Sequence, residues 1–465
     1  MHEVTVVGAG LVGCLAALAF AERGHKVALY DSRPDLRSEA ELKNASLRSI
    51  NLAVSARGIE ALRSVDTKMA ERVLADIIPM YGRMIHDLQG EQHPQNYGLW
   101  GECINSIDRA QLNRTMLDVI EDNANITFFP EHKLTNVSLS REHKKYQRPT
   151  ATFETREKEE RVVESDYIIG ADGAFSKTRD RLQRYVRMNY AQQYIDCVYL
   201  ELKIPKAEGK DPFSISPNHL HIWPRHQYML IALANGDGSF TSTLFAPPKL
   251  MERVCESKDT FLTFFREQFP DAYALMGEHQ IVESYENNPR SPLVSLKCSP
   301  YNHKGECLLV GDAAHCMVPF YGQGMNAGFE DIRVLMEILD EKQWNVEEAF
   351  NTYTERRHKD LVAIVDLAMR NYVEMSHSVV SLPYLIRKKV DGVLGRVFSS
   401  VWVPLYSMVS FRADIPYSEA LSRSARQDRI IGNIVNWTSL TGLVGVGALV
   451  YFKGRHFFDR VFDRV

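Results

Sequence analysis

The alternation of apolar and polar stretches at the amino terminus predicts a βαβ unit. Residues 4–7 are a β-branched run, residues 11–23 are rich in alanine and leucine, and residues 26–31 are mainly apolar again. This pattern indicates strand, helix and strand in that order. Gly24 follows the predicted helix, where glycine is favoured because it accepts a left-handed backbone. This order is typical of a parallel sheet covered by helices.

The hydrophobic pattern changes further along the chain. Between residues 219 and 245, apolar and polar residues alternate around Asn235-Gly236-Asp237-Gly238, which is typical of an antiparallel hairpin and predicts a second sheet. Residues 307–310 resemble another buried strand, and residues 326–340 and 346–376 carry long helical patterns. The last third of the chain is therefore predicted to be helical.

A charge-free run follows this helical part. Residues 434–452 are 19 consecutive residues without a charge, and as a helix they would measure about 28 Å, close to the thickness of a bilayer core. Arginines precede the run, Lys453 and Arg455 follow it, and Trp437 and Tyr451 lie near its ends, as is typical of membrane spans. The run predicts a transmembrane anchor, and a buried terminal helix is the alternative.

Composition and charge exclude several function classes. With 45% hydrophobic residues, 25% charged residues and a formal net charge of −4, the chain lacks the basic excess that nucleic acid attracts, so no nucleic-acid binding is expected. The seven cysteines form no C-x-x-C pair, which argues against a disulfide framework or a zinc site. Because the first strand begins at residue 4, no targeting segment is expected, and the body of the protein is expected in the cytosol.

The first chemical motif lies in the turn between the first strand and the first helix. Gly8, Gly10 and Gly13 allow a tight turn and let the backbone approach a pyrophosphate, whose charge the helix amino terminus favours. Asp31 ends the second strand, 18 residues after Gly13, where its carboxylate can accept hydrogen bonds from ribose hydroxyls. These residues predict a dinucleotide site, and they leave NAD and FAD as alternatives.

Two further motifs each place an aspartate after a strand. Asp172 stands in Gly170-Ala171-Asp172-Gly173, and a lone Asp-Gly of this kind is more often a polar turn than a site. Asp312 stands in Gly311-Asp312-Ala313-Ala314-His315, and the glycine-rich residues 319–326 then open a helix. The N–H groups at such a helix start can face an electron-rich flavin edge.

The three motifs in this order resemble the class A flavoprotein monooxygenases, the para-hydroxybenzoate hydroxylase family. The resemblance implies that FAD is the cofactor and that Asp31 and the glycines hold its adenosine half. It also implies that Asp172 lies near both the flavin and the nicotinamide, and that Asp312 holds the ribityl chain. The residues expected to bind FAD are Gly8, Gly10, Val12, Gly13, Tyr30, Asp31, Arg33, Ala53, Arg109, Leu134, Asp172, Asp312, Gly324, Met325 and Asn326. Only one glycine fingerprint is present, which suits NADPH as a transient co-substrate without a domain of its own.

Residues 48–53, 82–86, 97–98, 219–225, 371–375 and 404–409 resemble the members of that family that hydroxylate kynurenine. This resemblance implies that Arg83, Tyr97, Asn371 and Tyr406 bind the amino-acid end of L-kynurenine, although Arg83 taken alone would be an ordinary surface arginine. A guanidinium fork and phenols suit a carboxylate.

The implied reaction in the kynurenine-hydroxylating members is oxygen transfer from O2, through a flavin C4a-hydroperoxide, to the ring of kynurenine in tryptophan degradation and NAD synthesis. No side-chain nucleophile is required, so the catalytic residues stay unknown, with Gln323, Phe320 and Tyr321 as candidates that line the ring site. His219 and His221 alternate on a predicted strand without a third ligand, so no metal is expected.

The resemblance also implies a location and leaves competing functions. An anchor with basic flanks suits the mitochondrial outer membrane with the catalytic domain facing the cytosol, and the endoplasmic reticulum is the alternative. Other candidate functions are a Rossmann-fold dehydrogenase that uses NAD, a non-enzymatic GDP-dissociation-inhibitor-like binding protein, and a flavin monooxygenase acting on a lipid, a quinone precursor or another carboxylated aromatic.

Together, the patterns and the resemblance predict an α/β fold with a Rossmann-like FAD-binding domain, an antiparallel-sheet substrate domain, a helical carboxyl-terminal part and a carboxyl-terminal transmembrane anchor. The expected FAD-binding βαβ domain covers residues 1–180, with residues 290–340 returning to it. Residues 181–289 are expected to form the substrate-binding β-sheet domain. Residues 341–431 are the expected helical region, and residues 432–465 are the expected anchor and short tail.

Overall fold

The structure is a computed structural model that describes residues 1–39, 41–42, 51–139, 148–376, 382–399 and 401–433. The strands of this part, numbered in chain order, are β1 Glu3–Val7, β2 Lys26–Tyr30, β3 Asn51–Val54, β4 Ile78–Met80, β5 Gly82–His86, β6 Gln92–Asn96, β7 Ile104–Asp108, β8 Ile126–Phe129, β9 Lys133–Ser138, β10 Thr150–Glu154, β11 Glu160–Glu164, β12 Tyr167–Gly170, β13 Asn189–Ile204, β14 His219–Arg225, β15 Tyr228–Ala234, β16 Phe240–Ala246, β17 Ser291–Ser299, β18 Asn302–His303 and β19 Cys307–Leu309. The helices are α1 Leu11–Glu22, α2 Ala56–Val65, α3 Thr67–Val73, α4 Arg109–Glu121, α5 Lys177–Leu182, α6 Pro248–Val254, α7 Lys258–Gln268, α8 Pro270–Met276, α9 Glu278–Asn287, α10 Gly324–Glu341, α11 Val346–Ser376, α12 Leu382–Val397 and α13 Leu405–Phe411. A further helix covers residues 417–433.

A six-stranded sheet forms the nucleotide-binding side of the molecule, in the order β18-β19-β12-β1-β2-β8. Its neighbours pair in parallel except β18 and β19, which confirms the predicted βαβ unit. The strands that end in the three motifs are adjacent, because β1, β12 and β19 lie side by side. Their carboxyl ends, and hence the motifs, meet at one edge of the sheet, where ligands bind in open α/β folds.

The fingerprint turn requires glycine for two different reasons. Gly8 has a φ of +100°, and a Cβ there would lie 2.5 Å from the carbonyl oxygen of Ala171. A Cβ on Gly13 would lie 1.8 Å from the carbonyl oxygen of Gly8. The turn therefore packs against the neighbouring motif and against its own helix more closely than any side chain allows.

A seven-stranded sheet forms the second side, in the order β17-β13-β16-β15-β14-β5-β6. The predicted hairpin around residues 235–238 is confirmed by the antiparallel pairing of β15 with β16. The sheets do not follow the predicted domain boundaries, because β5 and β6, which precede residue 180, and β17, which follows residue 290, all belong to this second sheet. The sheet is also mixed, since β14 pairs with β5 in parallel.

The helical patterns after residue 320 are confirmed by α10 and α11. A buried charge cluster connects this helical part to α2. Glu330 of α10 lies 2.6 Å from the guanidinium of Arg57 and 2.8 Å from that of Arg357. Arg57 also donates to the carbonyl oxygen of Val409 at 2.8 Å. Buried charges require partners of this kind, and the cluster ties α2, α10, α11 and α13 into one body.

Among the described helices, none combines the length and the apolar character needed to cross a membrane. The charge-free run of residues 434–452, on which the anchor prediction depends, lies outside the described residues.

Candidate functional site

A long cavity of about 920 Å³ opens at the edge of the sheet where the three motifs meet. Of the residues predicted to bind FAD, those that line it are Gly8, Gly10, Val12, Tyr30, Asp31, Arg33, Ala53, Arg109, Leu134, Asp172, Asp312, Gly324 and Met325. Its volume lies in the upper range of cofactor sites. Gly13 and Asn326 do not line it, but each contacts a residue that does, Gly8 and Ala53 respectively.

Two observations on the cavity wall test whether FAD fits. Gly10 lines the cavity, and a Cβ on Gly10 would meet no protein atom within 4 Å. The protein itself therefore does not require glycine at this position, whereas a pyrophosphate that contacts the turn does. The carboxylate of Asp312 also lines the cavity and has no hydrogen bond to any described residue. Burial raises the pKa of Asp312, and the nearby Arg109 opposes that shift. An acceptor without a partner beside a glycine turn fits the ribityl chain and pyrophosphate of FAD.

Asp31, which is predicted to hold the adenosine half of FAD, lies at the wall of this cavity. Its carboxylate accepts from the backbone N–H of Ala9 at 2.7 Å and from the Nε of Arg33 at 3.0 Å. Burial disfavours the charged carboxylate, but the hydrogen bonds and charge of Arg33 outweigh it and lower the pKa of Asp31. Asp31 is therefore ionised at neutral pH, and its carboxylate oxygens are suited to accept from ribose hydroxyls.

Asp172 is held by its own loop. Its carboxylate accepts from the hydroxyl of Ser176 at 2.5 Å and from the backbone N–H of Thr178 at 2.9 Å. Burial nevertheless raises the pKa of Asp172 above its usual value. These bonds fix the turn that leads into α5, and the expected role of Asp172 near the nicotinamide stays a prediction.

The start of α10 forms the wall between this cavity and the substrate side. Asn326 is fully buried, accepts from the N–H of Ser55 at 2.9 Å, and donates to the carbonyl oxygens of Ala53 and Gly322 at 2.7 Å each. It thus connects the β3–α2 turn to the glycine turn. Gln323 lines neither cavity, because its side-chain carbonyl accepts from the hydroxyl of Tyr417 at 3.0 Å.

A second cavity of about 200 Å³ lies on the other side of that wall. Asn51, Ala53, Pro319 and Gly322 line both cavities, so the two meet at the turn before α10. The apolar residues that line the second cavity include Leu220, Ile231, Phe245, Phe320 and Tyr321. A ring bound here would face a group that reaches the Gly322 turn from the first cavity.

All four residues predicted to bind the substrate line the second cavity. They are Arg83, Tyr97, Asn371 and Tyr406. They come from β5, from the loop after β6, from α11 and from α13, so only the tertiary structure brings them together. The rings of Tyr97 and Tyr406 stack with centroids 4.8 Å apart, and the guanidinium of Arg83 lies 5.5 Å from the centre of the Tyr406 ring.

Arg83 and Tyr97 have unused hydrogen-bonding capacity. The Nε of Arg83 and the hydroxyl of Tyr97 are buried and have no hydrogen-bond partner among the described residues. Buried polar atoms are normally paired, and exceptions often mark ligand sites. The amide nitrogen of Asn371 is used, since it donates to the carbonyl oxygen of Phe320 at 2.6 Å. This bond leaves the Asn371 amide oxygen as an acceptor.

Arg83 has a counterion that the sequence did not suggest. Its Nη1 lies 2.9 Å from Oε1 of Glu374, and the same oxygen accepts from the hydroxyl of Tyr384 at 3.0 Å. Burial disfavours the charged form of Arg83, but Glu374 and the surrounding tyrosines outweigh it and raise the pKa of Arg83. A permanent cation in the wall of a mainly apolar cavity is suited to an anionic group of a ligand.

The chain matches the FAD binding domain family over residues 1–368. It is 92% identical over 463 residues to a kynurenine 3-monooxygenase of Yarrowia lipolytica, with 100% of both chains covered. A kynurenine 3-monooxygenase of Saccharomyces cerevisiae is 47% identical, with 97% of this chain and 98% of the relative covered. The chain belongs to the kynurenine 3-monooxygenase family.

Two solved structures that resemble this member of the kynurenine 3-monooxygenase family share 17% sequence identity with it. A tetrameric 2-methyl-3-hydroxypyridine-5-carboxylic acid oxygenase superposes with a TM-score of 0.65 at 17% identity, covering 83% of this chain and 95% of the other. PqsL of P. aeruginosa in complex with 2-aminobenzoylacetate gives 0.63 at 17% identity, covering 81% and 97%. At this identity they show the shared fold alone, an FAD-binding α/β monooxygenase fold.

In this kynurenine 3-monooxygenase family member, sequence reasoning missed Glu374 and most of the apolar wall of the second cavity. Glu374 lies three residues after Asn371, so one helical turn of spacing was the available signal. His219 and His221 have ordinary partners, since Nε2 of His221 bonds the carbonyl oxygen of Ser216 at 2.8 Å and Nδ1 of His219 bonds the Ser216 hydroxyl at 2.8 Å.

Proposed function

We propose that this chain hydroxylates L-kynurenine to 3-hydroxykynurenine with FAD as bound cofactor and NADPH as co-substrate. The reaction consumes kynurenine, O2, NADPH and a proton, and it releases 3-hydroxykynurenine, NADP+ and water. One oxygen atom enters the ring, and the other leaves as water.

The meeting of the two cavities at Ala53, Pro319 and Gly322 carries this proposal. An apolar cavity that opens onto a flavin site and ends in a buried arginine suits a substrate with an aromatic ring at one end and a carboxylate at the other. Kynurenine has that form, with an additional ammonium group for which the Asn371 amide oxygen is a suitable acceptor.

The flavin, when bound, supplies the redox chemistry by accepting hydride from NADPH and activating O2. The chain positions and shields the reactants. Arg83 and Tyr97 hold the carboxylate, which fixes the distance between the amino-acid end and the ring. Phe245 and Phe320, whose ring centroids are 4.9 Å apart, exclude water beside the reacting ring. Gly324, the first residue of α10, lines the first cavity, and the start of a helix stabilises negative charge.

The test measures NADPH oxidation and product formation by the flavin-loaded full chain. Kynurenine should stimulate NADPH oxidation, and the amount of 3-hydroxykynurenine formed should nearly equal the amount of NADPH oxidised. Its ring analogue 2-aminoacetophenone, which lacks the amino-acid end, should be hydroxylated far less efficiently. Equal hydroxylation of both compounds would show that the arginine end of the cavity does not select the substrate. A kynurenine-independent rate with a simple aromatic acid would favour the alternative of another carboxylated aromatic.

We further propose that residues 434–452 anchor the enzyme in the mitochondrial outer membrane with the catalytic body facing the cytosol. The support is the charge-free length and the basic residues on both flanks, Arg423, Arg426 and Arg429 before it and Lys453 and Arg455 after it. Separation of cell membranes distinguishes this location from the endoplasmic reticulum. Protease added to intact mitochondria should remove the catalytic body, whereas protection of the body would contradict the orientation.

A further inference from the structure

Helix α12 exposes a row of apolar side chains to solvent. Ile386, Val390, Val393 and Val397 recur at spacings of four, three and four residues, which places them on one side of the helix. Phe398 and Val401 continue the row, and all six are between 36% and 79% exposed. We call these six residues the α12 stripe. Single exposed apolar residues are ordinary, but a continuous row marks an interaction surface.

The opposite side of α12 is already used for packing. The hydroxyl of Tyr384 donates to Glu374 at 3.0 Å, and the Nζ of Lys388 donates to the side-chain oxygen of Gln95 at 3.3 Å. A Cβ on Gly395 would lie 2.5 Å from a methyl carbon of Leu99, so this side of the helix approaches the body closely. The α12 stripe is therefore a second, outward side without a described partner.

The α12 stripe lies beside the point where the described chain ends. Nη1 of Arg387 lies 2.6 Å from Oδ1 of Asp428, and the Gln427 amide donates to the carbonyl oxygen of Val403 at 3.1 Å. The first contact places α12 beside the helix of residues 417–433, and the second joins that helix to the loop that follows α12. In the sequence, residue 433 is followed directly by the charge-free run. Ile430, two residues beyond Asp428, is also exposed.

The charge of the chain segment that carries the α12 stripe differs from that of the whole protein. Residues 382–433 contain eight lysines and arginines and four acidic residues, although the whole chain has a net charge of −4. Lys389 and Arg396 are exposed and flank the stripe. Apolar residues bordered by basic ones are typical of helices that lie in the headgroup region of a bilayer and are attracted to anionic lipids.

We propose that the α12 stripe rests on the lipid surface of the membrane that holds the tail. The proposal rests on the anchoring proposed above, because a tether raises the effective concentration of the stripe at the bilayer and makes a modest apolar contact sufficient. The contact sets the orientation of the catalytic body. It also places the bilayer against the helix whose Tyr384 donates to Glu374, the counterion of Arg83.

The test uses the full chain in vesicles of phosphatidylcholine with a minor share of phosphatidylserine. An environment-sensitive fluorophore is attached at Val393→Cys. A matched control carries it at Val162→Cys, an exposed valine of β11 in the three-stranded sheet β11-β10-β9. The unsubstituted chain gives the background from Cys103 and Cys255, the two cysteines that are not buried. Flotation with the vesicles reports the anchor, and quenching by lipids with a nitroxide near the headgroup reports the stripe.

We expect both labelled proteins to float and only the label at position 393 to be quenched, several-fold more than the label at position 162. Val393→Glu combined with Val397→Glu should abolish quenching of a label at Val390→Cys while flotation and kynurenine turnover persist. Floating protein with equal quenching at positions 393 and 162 would overturn the lipid contact and leave the anchor intact. A label shielded from water but not quenched by lipid would also overturn it, because protein would then cover the stripe. Protein that does not float would overturn both.

Discussion

At the scale of single residues, burial and the neighbouring Glu374 make Arg83 a candidate ligand-binding residue. It lies in a short strand, is almost fully buried, and has one face on Glu374 and one unpaired nitrogen at the cavity. A buried cation without a counterion would be costly, so Glu374 stabilises Arg83 in the free protein. The remaining Nε–H can bond the carboxylate of a ligand.

Replacing Arg83 should impair catalysis without loss of flavin. Arg83→Ala and Arg83→Lys are expected to lower kcat/KM for kynurenine. The fall should correspond to a loss of about 2–4 kcal/mol of transition-state stabilisation, the usual cost of removing one partner of a buried charged pair. Asn371→Ala and Tyr406→Phe should act in the same direction but more weakly, because each removes a single hydrogen bond. The measurement is kynurenine-dependent turnover at matched flavin content. Wild-type kcat/KM in Arg83→Ala would refute the assigned role.

Arg83 should also control the coupling of NADPH oxidation to hydroxylation. A substrate that is held loosely leaves the ring misplaced and the cavity wet. We expect the hydrogen peroxide formed per NADPH oxidised to rise in Arg83→Ala as 3-hydroxykynurenine falls. Peroxide quantified beside product in the same reaction checks this, and full coupling at a reduced rate would speak against a positioning role.

Gly10 and Asp312 should each be required for flavin. Gly10→Val fills space that the protein leaves open but a pyrophosphate needs, so it should fold and lack FAD. Asp312→Ala removes the unpaired acceptor at the ribityl position and should weaken flavin binding. Absorbance near 450 nm, expected of bound oxidised flavin, measures occupancy after gel filtration. Gly236→Ala, in an open hairpin turn away from both cavities, is the matched control, and full occupancy in Gly10→Val would reject the cofactor geometry.

At the scale of elements, the start of α10 organises the site because one side chain connects three segments. Asn326 bonds Ser55, Ala53 and Gly322, and Ala53 and Gly322 line both cavities. The relative position of the two cavities therefore depends on a residue that touches neither of them. Such a residue positions the site and does not take part in the chemistry.

Asn326→Ala should affect flavin binding and stability together. It leaves the buried N–H of Ser55 and the half-buried carbonyl groups of Ala53 and Gly322 without their partner, and the loss at a buried group costs about 1–3 kcal/mol. We expect a clear fall in melting temperature and weaker flavin binding, both measured on the same preparation. Asn288→Ala, which removes a single side-chain bond to the carbonyl oxygen of Glu201 in the second sheet, is the control. An unchanged flavin affinity in Asn326→Ala would show that the β3–α2 turn and the turn at Gly322 keep their positions without the Asn326 side chain.

At the scale of the whole molecule, the catalytic body and the membrane segment should be separable. Deleting residues from about 432 onward is expected to release the enzyme from membranes, because the charge-free run alone provides a spanning length. The measurement is sedimentation with membranes at high salt. A truncated protein that still sediments would place the main attachment elsewhere, with the α12 stripe as the first candidate.

The sequence alone determined the local chemistry of this protein. The spacing of Gly8, Gly10 and Gly13, the long helical periodicity of residues 346–376 and the hairpin at residues 235–238 were readable because turn geometry and amphipathic periods are properties of neighbouring residues. The three motifs were recognisable for the same reason, and with them the family. The domain boundaries were not, since β5, β6 and β17 reach the second sheet through pairings between distant parts of the chain.

Only the tertiary structure decided which residues share a cavity. Arg83 lies hundreds of residues before Asn371 and Tyr406 along the chain, and no local pattern predicts that β5, α11 and α13 converge. The same holds for Glu374 as the counterion of Arg83, and for Gln323, whose bond to Tyr417 directs it away from both cavities. Long-range packing determines such contacts because burial and charge pairing are satisfied across the whole fold, whereas the sequence shows only the order of the residues.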